Sequence, residues 1–127
     1  MLKDVKVTNS AGDGVDIGDH DFITLSGVTV EGMPGFSHAV DINFAGAAND
    51  IRIEGSTFNL AAGQIGLKIA DAAAVTNLQV VKSTYNGGQY GFYFANDTAG
   101  SGRATIKVRH VVNQGETAPG WTADGRA

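Results

Sequence analysis

Two aspartates, a lysine and a tyrosine occupy one position of a recurring tetrapeptide, and together they could do acid–base chemistry. Asp16 stands in Gly14-Val15-Asp16-Ile17 and Asp41 in Ala39-Val40-Asp41-Ile42. Lys68 stands in Gly66-Leu67-Lys68-Ile69 and Tyr93 in Gly91-Phe92-Tyr93-Phe94. Successive copies start 25, 27 and 25 residues apart, and a degenerate copy, Gly120-Trp121-Thr122-Ala123, follows after 29. Each copy reads small, apolar, variable, apolar. If the copies stack, the variable residues form an outward ladder with rungs about 5 Å apart. Carboxylates that close perturb one another's protonation, and a neighbouring ammonium opposes the effect. Asp16 and Asp41 could then act as acid and base, or acid and nucleophile, on a glycoside. Lys68 would stabilise negative charge, and Tyr93 would offer a face to a sugar ring. The plainer alternative is a solvated strand face, although adjacent like charges are something a purely structural ladder avoids.

These residues must be positioned by the rest of the repeat. A second element, apolar-polar-apolar, recurs as Val5-Lys6-Val7, Ile23-Thr24-Leu25, Ile51-Arg52-Ile53, Leu78-Gln79-Val80 and Ile106-Lys107-Val108. A third follows it: Val28-Thr29-Val30, Ser56-Thr57-Phe58, Ser83-Thr84-Tyr85 and Val111-Val112-Asn113. The alternation is that of half-buried strands. Three short strands in a fixed order every 25–29 residues describe the coil of a solenoid. Stacked coils give inward columns: Val15, Val40, Leu67, Phe92 and Ile17, Ile42, Ile69, Phe94 from the first element. The second gives Val5, Ile23, Ile51, Leu78, Ile106 with Val7, Leu25, Ile53, Val80, Val108 beside it, and the third gives Val30, Phe58, Tyr85. Gly14 is expected to make a turn, Ala70-Asp71-Ala72-Ala73-Ala74 a connecting loop, and the tail from Gln114, with Pro119 and Trp121, an end cap or the start of another coil. One coil cannot bury its own apolar face, so stability depends on the stack.

The pattern resembles the right-handed parallel β-helix of the pectate-lyase-like superfamily. Asn59, Asn86 and Gln114 fall at one matching position with Glu31, similar to the asparagine-containing turns of that superfamily, and the resemblance covers residues 2–115. It implies an all-β, right-handed parallel β-helix of four to five coils, with residues 1–127 one domain and a section of a longer β-helical chain. Members include pectate lyases, polygalacturonases, alginate epimerases and phage tailspikes. The resemblance therefore implies an extracellular or virion-associated protein that binds or processes polysaccharide, as a lyase or glycoside hydrolase if it is an enzyme. The alternative it carries is a non-catalytic tailspike or adhesin segment, trimerising through exposed Phe36, Phe44, Tyr90 or Trp121. No family catalytic motif carries over. The polygalacturonase aspartate pattern is matched only distantly by Asp13-Gly14-Val15-Asp16, the epimerase Asp-Pro-His is absent, and Arg52 has no lyase motif around it.

A second outward ladder, Lys6, Thr24, Arg52, Gln79, Lys107, is mildly basic. Arg52 and Lys107 are candidate substrate contacts for an anionic polysaccharide. Asp13, Asp16, Asp19 and Asp21 cluster with His20, and Gly12-Asp13-Gly14-Val15-Asp16 resembles one calcium-binding nonapeptide. The following copy lacks its glycines, so no cofactor and no metal site is expected, with Ca²⁺ the minor alternative. His20, His38 and His110 fall at different coil positions, which argues against a three-histidine site. The net charge of −4 argues against a non-specific nucleic-acid binder. Absence of cysteine excludes disulfides and thiolate metal sites. No run approaches the ~18 apolar residues of a membrane span.

Overall fold

The computed structural model describes residues 1–18, 21–42, 47–69, 74–94, 106–109, 112–114 and 121–123, with backbone alone at 47–48, 74–75, 94, 106–108, 113 and 121–123. Its strands follow one another three to a coil. The first coil holds β1 (Leu2–Lys3), β2 (Lys6–Thr8) and β3 (Val15–Ile17). The second holds β4 (Thr24–Ser26), β5 (Thr29–Glu31) and β6 (His38–Ile42), and the third β7 (Ala47–Glu54), β8 (Thr57–Leu60) and β9 (Ile65–Ile69). The fourth holds β10 (Ala74–Val81), β11 (Thr84–Gly87) and β12 (Tyr90–Phe94), and the fifth β13 (Ile106–Arg109), β14 (Val112–Gln114) and β15 (Trp121–Ala123).

Like strands pair in parallel between successive coils and make three five-stranded sheets. The orders are β1-β4-β7-β10-β13, β2-β5-β8-β11-β14 and β3-β6-β9-β12-β15. This is a parallel β-helix, and no helix occurs among the described residues. Most strands are short because each spans one side of a coil, while β7 and β10 run to eight residues.

The core is a set of in-register columns. Leu25, Ile53 and Val80 are partners in the first sheet, as are Ile51 and Leu78. Val7, Val30, Phe58 and Tyr85 are partners in the second, and Val15, Val40, Leu67 and Phe92 in the third. Phe58 and Tyr85 stack with centroids 4.7 Å apart, and Tyr85 packs on Phe92 at 4.8 Å. Glu31, Asn59, Asn86 and Gln114 share one position, as expected, but they lie in strands of the second sheet rather than in turns, and they form a polar ladder. Asn59 donates to Glu31 at 3.1 Å, Asn86 to Asn59 at 2.8 Å and Gln114 to Asn86 at 2.5 Å.

Two expectations need correction. Val5-Lys6-Val7 belongs to the second sheet, where Lys6 is the partner of Thr29, while Leu2-Lys3 supplies the first strand of the first sheet. The two elements share one apolar-polar-apolar pattern, and a two-residue strand is too short to show alternation. Lys6 therefore leaves the basic ladder and pairs with Glu31 at 2.6 Å. Gly14, in turn, makes no positive-φ turn. It lies at a corner where a Cβ would collide with Val30 and stand 2.7 Å from the Ala39 carbonyl oxygen. Gly66 occupies the same corner two coils on, where a Cβ would strike the Tyr85 ring and stand 2.5 Å from the Gly91 carbonyl oxygen. The small first residue of the tetrapeptide is thus a steric requirement of the core.

Gly66→Ala is expected to cost about 1–3 kcal/mol by overpacking. Gly12→Ala, whose Cβ meets nothing within 4 Å, should change stability by less than about 0.5 kcal/mol. Urea denaturation of the two variants checks this, and equal midpoints would contradict the corner packing.

Candidate functional site

The predicted ladder is in register on the third sheet. Asp16 is the partner of Asp41, Asp41 of Lys68, Lys68 of Tyr93 and Tyr93 of Thr122. Tyr93 packs against Tyr90, centroids 5.6 Å apart. The environments along the ladder differ sharply. Asp16 is exposed and Lys68 and Tyr93 are half-buried, but Asp41 is only 3% exposed. The solvated face expected from the sequence is therefore closed over at Asp41.

His38 closes it. Strict alternation would put His38 and Asp41, three residues apart, on opposite faces of a strand. Here Ala39 and Val40 are both buried in the core, with Ile42. Two consecutive inward residues at the coil corner reset the alternation and return His38 and Asp41 to one side. Asp13, three residues before Asp16, holds His38 from the neighbouring coil. Its Oδ1 accepts the His38 backbone N–H at 2.6 Å and lies 3.0 Å from His38 Nδ1. On the other flank Asp41 Oδ2 lies 3.6 Å from the same nitrogen. Neither approach has hydrogen-bond geometry, and among the described residues neither His38 Nδ1 nor Asp41 Oδ1, both buried, has a hydrogen-bond partner.

Burial is the main cause pushing the Asp41 carboxyl above the usual carboxylate range. Lys68 and His38 pull it back, and Asp13 and Asp16 push it further up. Asp13, His38 and Asp41 offer ligand atoms that all lie within 4.8 Å of one another. The sequence carried a signal for this trio. The residues three before the ladder are Asp13, His38, Ile65 and Tyr90, so the first two rungs read Asp-x-x-Asp and His-x-x-Asp.

The remaining candidates lie elsewhere. Arg52 and Lys107 belong to the first sheet, in the column Thr24, Arg52, Gln79, Lys107. They do not share the sheet of Asp16, Asp41, Lys68 and Tyr93. Arg52 donates to Glu54 at 2.6 Å and to Gln79 at 2.8 Å. The bond from Arg52 holds the Glu54 carboxyl below its usual range. Beside this column lies a cavity of about 220 Å³ lined by Phe22, Thr24, Asp50, Ile51, Arg52, Asn77 and Gln79. Phe22 was not singled out in the sequence. It is 76% exposed and sits at φ 58°, in line with the left-handed Asp50 and Asn77 of the next coils. A bulky residue in that region is strained. Its backbone N–H is committed to the Asn49 carbonyl oxygen at 2.9 Å, and Asp21 accepts from both the backbone and the side chain of Asn49.

The calcium alternative is not supported by these contacts. Asp13 turns to His38 and Asp21 to Asn49, whereas a calcium ion needs six or more oxygens. Asp19, His20, Phe44, residues 70–73, His110 and Pro119 lie outside the described residues, and only the backbone of Lys107 and Trp121 is described. No helix among the described residues is long and apolar enough to cross a membrane. No family model, curated protein or solved structure matches the chain.

A carboxyl whose folded pKa lies above its unfolded value favours the folded state when protonated and weakens it as pH rises through the folded pKa. In chelator-treated protein, Asp41→Asn is therefore expected to raise the melting temperature at neutral pH. The gain should shrink as pH falls below the ordinary carboxylate range. Thermal melts across that range check this, and a variant less stable than the parent at neutral pH would contradict it.

Proposed function

We propose that this chain is a carbohydrate-binding β-helix of the pectate-lyase-like kind, extracellular or virion-associated, and that it takes polysaccharide along the cavity of the first sheet. The observation that carries the reading is the cavity's lining. An exposed aromatic ring, Phe22, stands beside planar and hydroxyl side chains, Arg52, Asn77, Gln79 and Thr24. A ring face for C–H groups and fixed polar groups for hydroxyls are what a sugar requires. The charge of Arg52 is offset by Glu54 and Asp50, which favours a neutral, hydroxyl-rich chain over a dense polyanion. Lys107 extends the same column. Right-handed winding belongs to the proposal, since parallel crossovers within one sheet are right-handed in nearly all cases.

Depolymerisation by Asp16, Asp41 and Lys68, with Tyr93 holding a ring, is the enzymatic form of the reading. The burial of Asp41 favours binding over that form. A second reading, a stacking segment of a trimeric tailspike or adhesin, is favoured by the 80% exposure of Phe36. Sedimentation separates the two: a trimer without sugar affinity supports the second.

Phe22→Ala is expected to weaken binding of neutral oligosaccharides at least about tenfold, a loss of about 1.4 kcal/mol. The change in stability should be small, because the ring is exposed. Glycan-array screening followed by calorimetry on the best ligand checks this. Undiminished affinity in Phe22→Ala and in Arg52→Gln would sink the assignment.

A further inference from the structure

Three side chains remote from the first-sheet cavity converge on one point beside the third sheet. They come from two adjacent coils and have the chemistry of a metal site. We infer that Asp13, His38 and Asp41 bind a divalent transition-metal ion, Zn²⁺ or a close relative, through Asp13 Oδ1, His38 Nδ1 and a carboxylate oxygen of Asp41.

Distances support this first. Ligand atoms arranged tetrahedrally at bonds of about 2.0–2.1 Å lie about 3.4 Å apart. His38 Nδ1 lies 3.0 Å from Asp13 Oδ1 and 3.6 Å from Asp41 Oδ2, which brackets that value. The third edge, between the Asp13 and Asp41 oxygens, is within 4.8 Å, and the two carboxylates would close on a bound ion to complete the geometry.

The orphaned atoms are the second observation. His38 Nδ1 and Asp41 Oδ1 are buried without a hydrogen-bond partner among the described residues, although buried polar atoms are nearly always satisfied. A neutral imidazole with its proton on Nε2 presents a lone pair at Nδ1. That lone pair faces two carboxylates, and a cation turns the costly arrangement into a favourable one. The two carboxylates also balance the charge of a divalent ion.

The ligand set selects the class of metal. Two carboxylates and one imidazole are too few oxygens for Ca²⁺, and imidazole favours first-row transition ions over Mg²⁺. Three protein ligands leave a fourth position to solvent, the pattern of reactive rather than structural zinc. Asp13 and His38 side chains retain 21% and 18% of their exposure, so the site has a way in. The sheet holds the ligands rigidly, since Asp13 is tied to the His38 backbone and Asp41 lies between its in-register neighbours Asp16 and Lys68.

The inference does not rest on the carbohydrate reading, and the experiment keeps them apart. Chelator-stripped protein is titrated with ZnCl₂ by calorimetry, with Co²⁺ absorption as a report of coordination. The parent should bind one equivalent and gain melting temperature. His38→Gln, Asp13→Asn and Asp41→Asn should each weaken binding at least about tenfold to hundredfold. Phe22→Ala and Asp50→Asn should bind as the parent does. If His38→Gln fails to fold by circular dichroism, Asp13→Asn decides, because its amide oxygen still accepts the His38 N–H. Failure of the folded parent to bind Zn²⁺ or Co²⁺ would overturn the site. So would undiminished binding by Asp13→Asn and Asp41→Asn together.

Discussion

Stacking of like positions in register is the constraint on which every other feature depends. A single coil of this chain has one small apolar interior and three strands with both edges open. Neither is stable until the next coil covers it. The stack fixes the aromatic column of Phe58 and Tyr85 against Phe92. It also fixes the polar ladder running from Lys6 and Glu31 through Asn59 and Asn86 to Gln114. At the corner, Gly14 and Gly66 leave room for Val30 and Tyr85 of the second sheet to reach across to the third. Core packing and surface chemistry are therefore set by the same register.

That register also decides what lies on the surface. One coil contributes Asp13 and Asp16, the next His38 and Asp41, and the coil after that Lys68. Stacking turns residues about 25 apart in sequence into neighbours. The cost is a nearly buried carboxylate, next to a histidine nitrogen with no hydrogen-bond partner among the described residues. Such an arrangement is retained most readily where something compensates for it. On the first sheet the same mechanism lines up Phe22, Asp50 and Asn77, all with positive φ, along a cavity rimmed by Arg52 and Gln79. Two chemically different surfaces thus come from one repeat.

Much of the fold was legible in the sequence because a parallel solenoid writes its contacts as a period. The rungs Asp16, Asp41, Lys68, Tyr93 and the columns through Val40, Phe58 and Ile53 followed from spacing alone. Lys6 was misplaced because apolar-polar-apolar triplets are alike in the first and second sheets, and only pairing distinguishes them. The Asp13–His38–Asp41 cluster was hidden for another reason. Alternation assigns His38 and Asp41 to opposite faces, and the two inward residues between them, Ala39 and Val40, break that rule at a corner. Phe22 gave no signal, since nothing in its local sequence marks a left-handed, exposed phenylalanine. Arg52 and Lys68 fall on separate ladders in the repeat, and the coil places those ladders on different sheets.

The central claim is that coil stacking buries Asp41 between Asp16 and Lys68. The most direct measurement is a carboxyl-carbon NMR titration of Asp41 in metal-free protein, repeated in Lys68→Met and Asp16→Asn. The account predicts an Asp41 pKa above the ordinary carboxylate range, higher still without Lys68 and lower without Asp16. An ordinary pKa, indifferent to both substitutions, would contradict it.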